Sequence, residues 1–136
     1  MDTKSSHISD WFHSGERLFG GRYPSELPPG VDFVVDLTEE GELPPYPCEG
    51  IEHRRMPIRD FGVPTEEELN RILDTIDEAL ADGRTVFVHC RGGIGRTGTV
   101  IGCYLRRHGS SAEEALEALG GRPETEEQFA LIRDWR

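Results

Sequence analysis

The feature that most restricts the fold is an apolar run that ends abruptly in glycines. Residues 84–90 are β-branched and apolar, which predicts a buried strand. Gly92, Gly93 and Gly95 follow at once, and glycine allows a sharp backbone turn with positive φ. A helical pattern then runs from about Gly95 to Arg107. The sequence therefore predicts a strand, a tight turn and a helix in direct succession.

Other local patterns predict the remaining elements. A short β-branched run predicts a strand at 31–37, and further strands are expected at 51–58 and, at an edge of the sheet, at 17–22. Capping residues followed by apolar stripes predict helices from Thr65 to Gly83, from Ser111 to Leu119 and from about Thr125 onward. The alternation predicts one α/β domain over residues 1–136, with a mostly parallel or mixed sheet of four to five strands and helices on both faces.

Charge and cysteine content restrict the possible partners and the cellular compartment of the protein. The formal net charge of -11 argues against nucleic acid as a partner. No stretch reaches the roughly 18 apolar residues of a membrane span, and residues 1–10 lack the apolar run of a secretory signal. Cys48, Cys90 and Cys103 form no CxxC pair and are odd in number, which favours a reducing compartment. We expect a cytoplasmic monomer without metal or other cofactor.

The turn after Cys90 has the composition of an anion site. Inward N–H groups at a helix N-terminus favour negative charge, so the backbone around the turn is predicted to cradle a phosphate. The predicted phosphate-binding residues are Arg91, Gly92, Gly93, Ile94, Gly95 and Arg96. A thiol at the start of such a turn is expected as a nucleophilic thiolate, and Arg96 can give two parallel hydrogen bonds to phosphate oxygens. Taken singly, a glycine-rich turn or a cysteine at a strand end is more often structural.

The segment His89-Cys90, five further residues, then Arg96-Thr97-Gly98 resembles the signature of the protein tyrosine and dual-specificity phosphatase superfamily. Residues 57–64, which contain Asp60, resemble its general-acid loop, and the 30-residue separation from Cys90 is similar to that of the compact dual-specificity members. Residues 18–22 and the strand that ends at Asp36-Leu37 also resemble the family's opening elements. The resemblance therefore covers most of the chain.

The resemblance implies a role for each matching side chain. Cys90 would form a phosphocysteine, and Asp60 would protonate the leaving group and then activate water. Thr97 would donate its hydroxyl to the sulfur, although a local bond in the first helical turn is the alternative. Gln128 resembles the glutamine that positions hydrolytic water, but it also forms a capping box with Thr125.

Two further side chains are ambiguous at this stage. His89 either orients the turn or is an ordinary buried histidine with satisfied hydrogen bonds. Cys103 falls on the helix after the turn, where a core position is expected. Cys48 receives no role.

The resemblance implies hydrolysis of protein phosphotyrosine, and a shallow pocket would also admit phosphoserine and phosphothreonine. Ile94 stands where relatives that act on phosphoinositides often carry lysine, which weakens a lipid substrate. A phosphoinositide or another small-molecule phosphate is kept as the alternative substrate. A rhodanese-like sulfurtransferase also places cysteine on an anion loop, but Asp60 and Thr97 argue against that class. A catalytically idle phosphopeptide-binding module is the remaining alternative.

Overall fold

The computed structural model describes residues 11–46 and 49–135, in which five strands form one sheet. The strands are β1 (Trp11–Gly15), β2 (Leu18–Arg22), β3 (Phe33–Asp36), β4 (Glu52–Arg55) and β5 (Val86–Cys90). Their order across the sheet is β1-β2-β5-β3-β4; β1 is antiparallel to β2 and the other pairs are parallel. The predicted mixed, mostly parallel sheet is confirmed.

The described ranges contain four helices, and three of them begin directly after the predicted capping residues. They are α1 (Glu66–Ala81), α2 (Gly95–Arg107), α3 (Ala112–Leu119) and α4 (Glu126–Asp134). Capping boxes start α1, α3 and α4, through Thr65, Ser111 and Thr125. In each box two backbone N–H groups that the helix cannot satisfy receive side-chain partners. No helix within the described ranges is long and apolar enough to cross a membrane.

The two faces of the sheet are covered differently. The larger core contains residues of all four helices, together with Val86, Val88 and Cys90 of β5. Phe87 points to the opposite face, where the smaller cluster includes no helical residue from the described part of the chain. The helices of the described ranges thus contribute to the larger core. Residues 23–32 and 37–51 are rich in Pro and Gly and carry no helical apolar stripe.

The edge of the sheet also differs from the prediction. Strand β2 was expected at the edge but lies between β1 and β5, and β1 was not predicted. A Cβ on Gly20 of β2 would lie 2.8 Å from the Phe12 ring and 3.1 Å from a side-chain carbon of Thr97. A glycine is therefore required for β1 and α2 to pack this closely against β2, and this packing places Thr97 beside Cys90.

Candidate active site

Hydrogen-bond donors surround the Cys90 sulfur at the carboxyl end of β5. Sγ accepts a hydrogen bond from the Gly93 N–H at 3.2 Å and lies 3.1 Å from Thr97 Oγ1. Thr97 Oγ1 is also 2.9 Å from the carbonyl oxygen of Gly21. One hydroxyl proton can serve only one of these acceptors at a time. The predicted contact of Thr97 with the sulfur is present, and the Gly21 carbonyl competes for its proton.

The segment Cys90–Arg96, which we call the phosphate loop, depends on Gly93. Its φ is +76°, and a Cβ there would lie 2.8 Å from the Arg22 nitrogen and 2.9 Å from the Gly21 carbonyl carbon. Only glycine combines that dihedral with so close an approach. Helix α2 then starts without a side-chain cap at Ile94. Its first N–H groups therefore receive no side-chain cap, and the predicted binding of an anion there stays a prediction.

Arg96 folds back under the loop and is 1% exposed. Its two terminal nitrogens donate to the Glu42 carboxylate at 2.9 and 2.8 Å, and one also donates to the Ile58 carbonyl oxygen at 3.0 Å. Its Nε is buried and has no hydrogen-bond partner among the described residues. A buried N–H without a partner costs free energy, which an anion in the loop would remove.

Glu42 was not anticipated from the sequence. It lies in the segment between β3 and β4, and its paired hydrogen bonds to Arg96 lower its pKa to about 2. Burial by itself would lower the pKa of Arg96, but Glu42, Cys90 and Asp60 together raise it above the ordinary value. The guanidinium is thus charged and fixed in place. Because Glu39, Glu40 and Glu42 look alike in the sequence, no local signal singles out the partner of Arg96.

Asp60 lies at the mouth of the site, 41% exposed, with Oδ1 3.3 Å from an Arg96 nitrogen. Phe61 beside it has a positive φ of 65° and is exposed. A small cleft joins these residues to the loop and is lined by Asp60, Phe61, Cys90, Arg91, Gly92, Ile94, Gly95 and Glu124. The structure thus assembles the predicted Cys90, Arg96, Asp60 and Thr97 at one place. Sequence analysis did not single out Glu124.

Gln128 is completely buried and links two loops. Its Oε1 accepts hydrogen bonds from the N–H groups of Glu124 and Thr125, both at 3.0 Å, and its Nε2 donates to the Gly62 carbonyl oxygen at 3.0 Å. The capping box with Thr125 is confirmed. Through these hydrogen bonds, the Gln128 side-chain amide connects the start of α4 to the segment that follows Asp60. A role in positioning water stays a prediction.

His89 is buried and precedes Cys90 on β5. Its Nε2 is 2.6 Å from the Tyr46 hydroxyl and its Nδ1 is 3.3 Å from the Cys90 carbonyl oxygen. Burial lowers the pKa of His89, so the ring is neutral near pH 7. Each ring nitrogen thus has a neighbour within hydrogen-bond distance. The neighbour of Nδ1 is the Cys90 carbonyl oxygen, which belongs to the phosphate loop.

Asp36, His53 and His89 bring three potential metal ligands within 4.8 Å of one another. A His53 nitrogen lies 2.8 Å from Asp36 Oδ2, and the Arg55 guanidinium lies 3.3 Å from the same oxygen. A neighbouring cation on the carboxylate disfavours a second cation there. These side chains form an ion-paired network. The network lines a cavity that is larger than the cleft at Cys90 and lies on the side of the sheet away from the described helices.

The other two cysteines are separate from this site. Cys103 is buried in the core, as expected, and burial raises its pKa to about 12. A thiol held in this form does not react readily. Cys48 lies outside the described residues.

Comparisons with known proteins agree with this geometry. Residues 25–110 match the family model described as polymorphic toxin system, DSP-PTPase phosphatase. An uncharacterised protein of Methanocaldococcus jannaschii, MJECL20, is 35% identical over 90% of this chain and 93% of its own length. The tyrosine-protein phosphatase CDC14 homolog of Schizosaccharomyces pombe is 38% identical over 78% of this chain, but this covers only 21% of that protein.

Among solved structures, the active form of Tk-PTP superposes with a TM-score of 0.82 at 34% identity, over 92% of this chain and 95% of that one. The match therefore includes the sheet, the phosphate loop and the helices rather than a single motif. The chain belongs to the DSP-PTPase phosphatase family of the protein tyrosine phosphatase superfamily, and it is a cysteine-based phosphatase.

Proposed function

We propose that this phosphatase acts on aryl phosphates, phosphotyrosine in proteins first, through Cys90, Arg96, Asp60 and Thr97. The Cys90 thiolate attacks phosphorus, the P–O ester bond breaks, and Asp60 gives its proton to the departing oxygen. Water then attacks the phosphocysteine, the P–S bond breaks, and Asp60 takes a proton from that water. Thr97 donates to the sulfur when it leaves as thiolate.

The geometry around Arg96 supports this sequence of steps. Its unpaired Nε and the uncapped N–H groups at the start of α2 can hold the equatorial oxygens of a phosphoryl group. Glu42 fixes the guanidinium from the other side, so little reorganisation accompanies the charge that develops during transfer.

The preference for an aryl group rests on the mouth of the cleft. Phe61 and Ile94 are 59% and 43% exposed, and they are the exposed large hydrophobic residues of the described ranges. Both line the cleft that contains Cys90. An aromatic ring bound between them would remove apolar surface from water, whereas a serine methylene would cover little of it. Phosphoserine and phosphothreonine can still reach the loop but gain less from these contacts.

The first experiment is phosphate release, without added metal, from p-nitrophenyl phosphate, a phosphotyrosine peptide, a phosphoserine peptide and a short-chain phosphoinositide. We expect the phosphotyrosine peptide to exceed the phosphoserine peptide in kcat/KM, and Phe61→Ala to reduce that ratio. Cys90→Ser should abolish turnover and retain phosphate binding. A phosphoinositide as the best substrate would refute the aryl preference, and tight phosphopeptide binding without release would favour the idle binding module.

Asp60→Asn tests the assigned acid. It should slow the phosphotyrosine peptide more than p-nitrophenyl phosphate, because p-nitrophenolate leaves readily without a proton. Asp134→Asn, at the exposed end of α4, makes the same chemical change away from the cleft and serves as the control. Equal losses on both substrates would mean that another group is the acid.

We infer that the enzyme works in a reducing compartment such as the cytoplasm, because a nucleophilic thiol needs protection from oxidation. The formal net charge of -11 argues against nucleic acids as partners. The monomeric state stays a prediction that sedimentation velocity can check.

A further inference from the structure

A second arginine contacts the phosphate loop from behind. Arg122 precedes α4, and its Nε donates to the Gly93 carbonyl oxygen at 2.8 Å. Its NH1 donates to the Leu119 carbonyl oxygen at the end of α3, also at 2.8 Å. The guanidinium lies over the Phe12 ring of β1, 4.0 Å from the ring centre. One side chain thus joins the end of α3, the edge strand and the loop.

We propose that Arg122 is a positioning residue that holds the phosphate loop in its anion-binding conformation. The inference rests on the proposed function of the loop and adds a residue that does not touch the substrate. Arg122 does not line the cleft, whereas Ile94, whose N–H belongs to the same peptide unit as the Gly93 carbonyl, does.

Peptide geometry gives the first reason. The C=O and N–H of a trans peptide unit point in opposite directions. Because Arg122 draws the Gly93 carbonyl toward the back of the loop, the Ile94 N–H faces the front, where a phosphate oxygen would lie. Helix α2 begins after Ile94 with no side-chain cap on its first N–H groups. Gly93 can take many backbone conformations, so a contact from outside the loop is needed to select this one.

The surroundings of Arg122 give the second reason. A Cβ on Gly98 would lie 2.8 Å from the Cβ of Arg122 and 3.0 Å from the Cα of Pro123. Glycine at this position of α2 therefore allows the segment that contains Arg122 to pack closely against the helix. Burial lowers the pKa of Arg122, and the nearby Cys90 partly offsets that effect.

The test compares Arg122→Met and Arg122→Lys with Arg133→Met, a control at an exposed arginine of α4 whose ion-pair partner is exposed Glu126. Phosphate affinity is measured by calorimetry in the Cys90→Ser background, and kcat and KM are measured with Cys90 present. Arg122→Met should lower phosphate affinity about tenfold and kcat about 10- to 100-fold, because one loop amide loses its orientation. Arg133→Met should leave both unchanged.

Arg122→Lys separates charge from orientation. Lysine keeps the positive charge but cannot bond both carbonyl groups while stacking on Phe12. It should recover part of the phosphate affinity and leave kcat low. A lysine variant with wild-type kcat would overturn the orientation argument, as would an Arg122→Met variant that matches the control in phosphate affinity.

Phe12→Leu covers the case in which Arg122→Met fails to fold. It removes the stacking contact and leaves both hydrogen bonds of Arg122 possible, so we expect about a threefold loss of phosphate affinity. If Arg122→Met is unfolded and Phe12→Leu is unchanged, the proposal is wrong. If wild-type protein releases no phosphate, the proposed function fails, but the phosphate affinities still decide the role of Arg122.

Discussion

Replacing Glu42 by glutamine tests whether this carboxylate anchors Arg96, the arginine proposed to bind phosphate. The substitution keeps the shape of the side chain and removes its charge. Arg96, which is 1% exposed, would then keep its backbone contact with Ile58 but lose the carboxylate that receives two of its hydrogen bonds. A buried cation with an incomplete set of acceptors destabilises the folded state.

The magnitude follows from the pKa of Glu42. Hydrogen bonding to Arg96 lowers it from 4.5 to about 2. A shift of this size corresponds to at most about 3 kcal/mol, and access of solvent to the pair reduces this to about 2 kcal/mol. The unfolded chain takes up a proton at Glu42 first as the pH falls below 4.5, so the stabilisation is complete above that pH and is lost toward pH 2. The contribution of the Glu42–Arg96 pair to the free energy of unfolding should fall by roughly half between pH 5 and pH 3.

Urea unfolding of the wild type, Glu42→Gln and Glu40→Gln at pH 7, 5 and 3 measures this effect. Glu40 lies in the same segment, is exposed, and serves as the control for removal of one negative charge. Glu42→Gln should be less stable by about 2 kcal/mol at pH 7 and should raise KM, since a mobile Arg96 binds phosphate less well. If Glu42→Gln matched Glu40→Gln in both stability and KM, the anchoring role would be refuted.

Three glycine substitutions test backbone conformation and packing, with Gly30→Ala as the control for Gly93→Ala. Gly93→Ala and Gly30→Ala both place alanine at a φ near +80°, but only Gly93 has backbone atoms within 3.0 Å of the new Cβ. Gly30→Ala should therefore cost about 1 kcal/mol in unfolding free energy with activity retained, whereas Gly93→Ala should also lose phosphate binding; retained phosphate binding in Gly93→Ala would contradict this. Gly102→Ala should destabilise by about 1–3 kcal/mol in urea unfolding, because its Cβ would lie 2.5 Å from the buried Ile132 side chain. Unchanged stability would show that Ile132 has room to move.

Sequence alone was sufficient wherever the determining contacts are local. The capping boxes of α1, α3 and α4 each join residues three apart, so their pattern is visible in the chain. The phosphate loop is likewise one continuous segment, in which glycines, Cys90, Arg96 and Thr97 are close in sequence. The strand before it was recognisable because β5 is buried on both faces.

The tertiary structure decided what depends on distant segments. Glu42 and Arg96 are 54 residues apart, and Arg122 and Gly93 are 29 apart, so no spacing rule connects either pair. Strand β1 lacks a clear alternation of its own and is stabilised by its pairing with β2. The covering of the second face by irregular segments likewise depends on how those segments fold over Phe19 and Phe87. Sequence therefore predicted Cys90 as the candidate nucleophile and the loop around it as an anion site, because these residues form a single run. Only tertiary packing determined which charges anchor the loop, because a carboxylate or guanidinium gains its partner through the folding of remote parts of the chain.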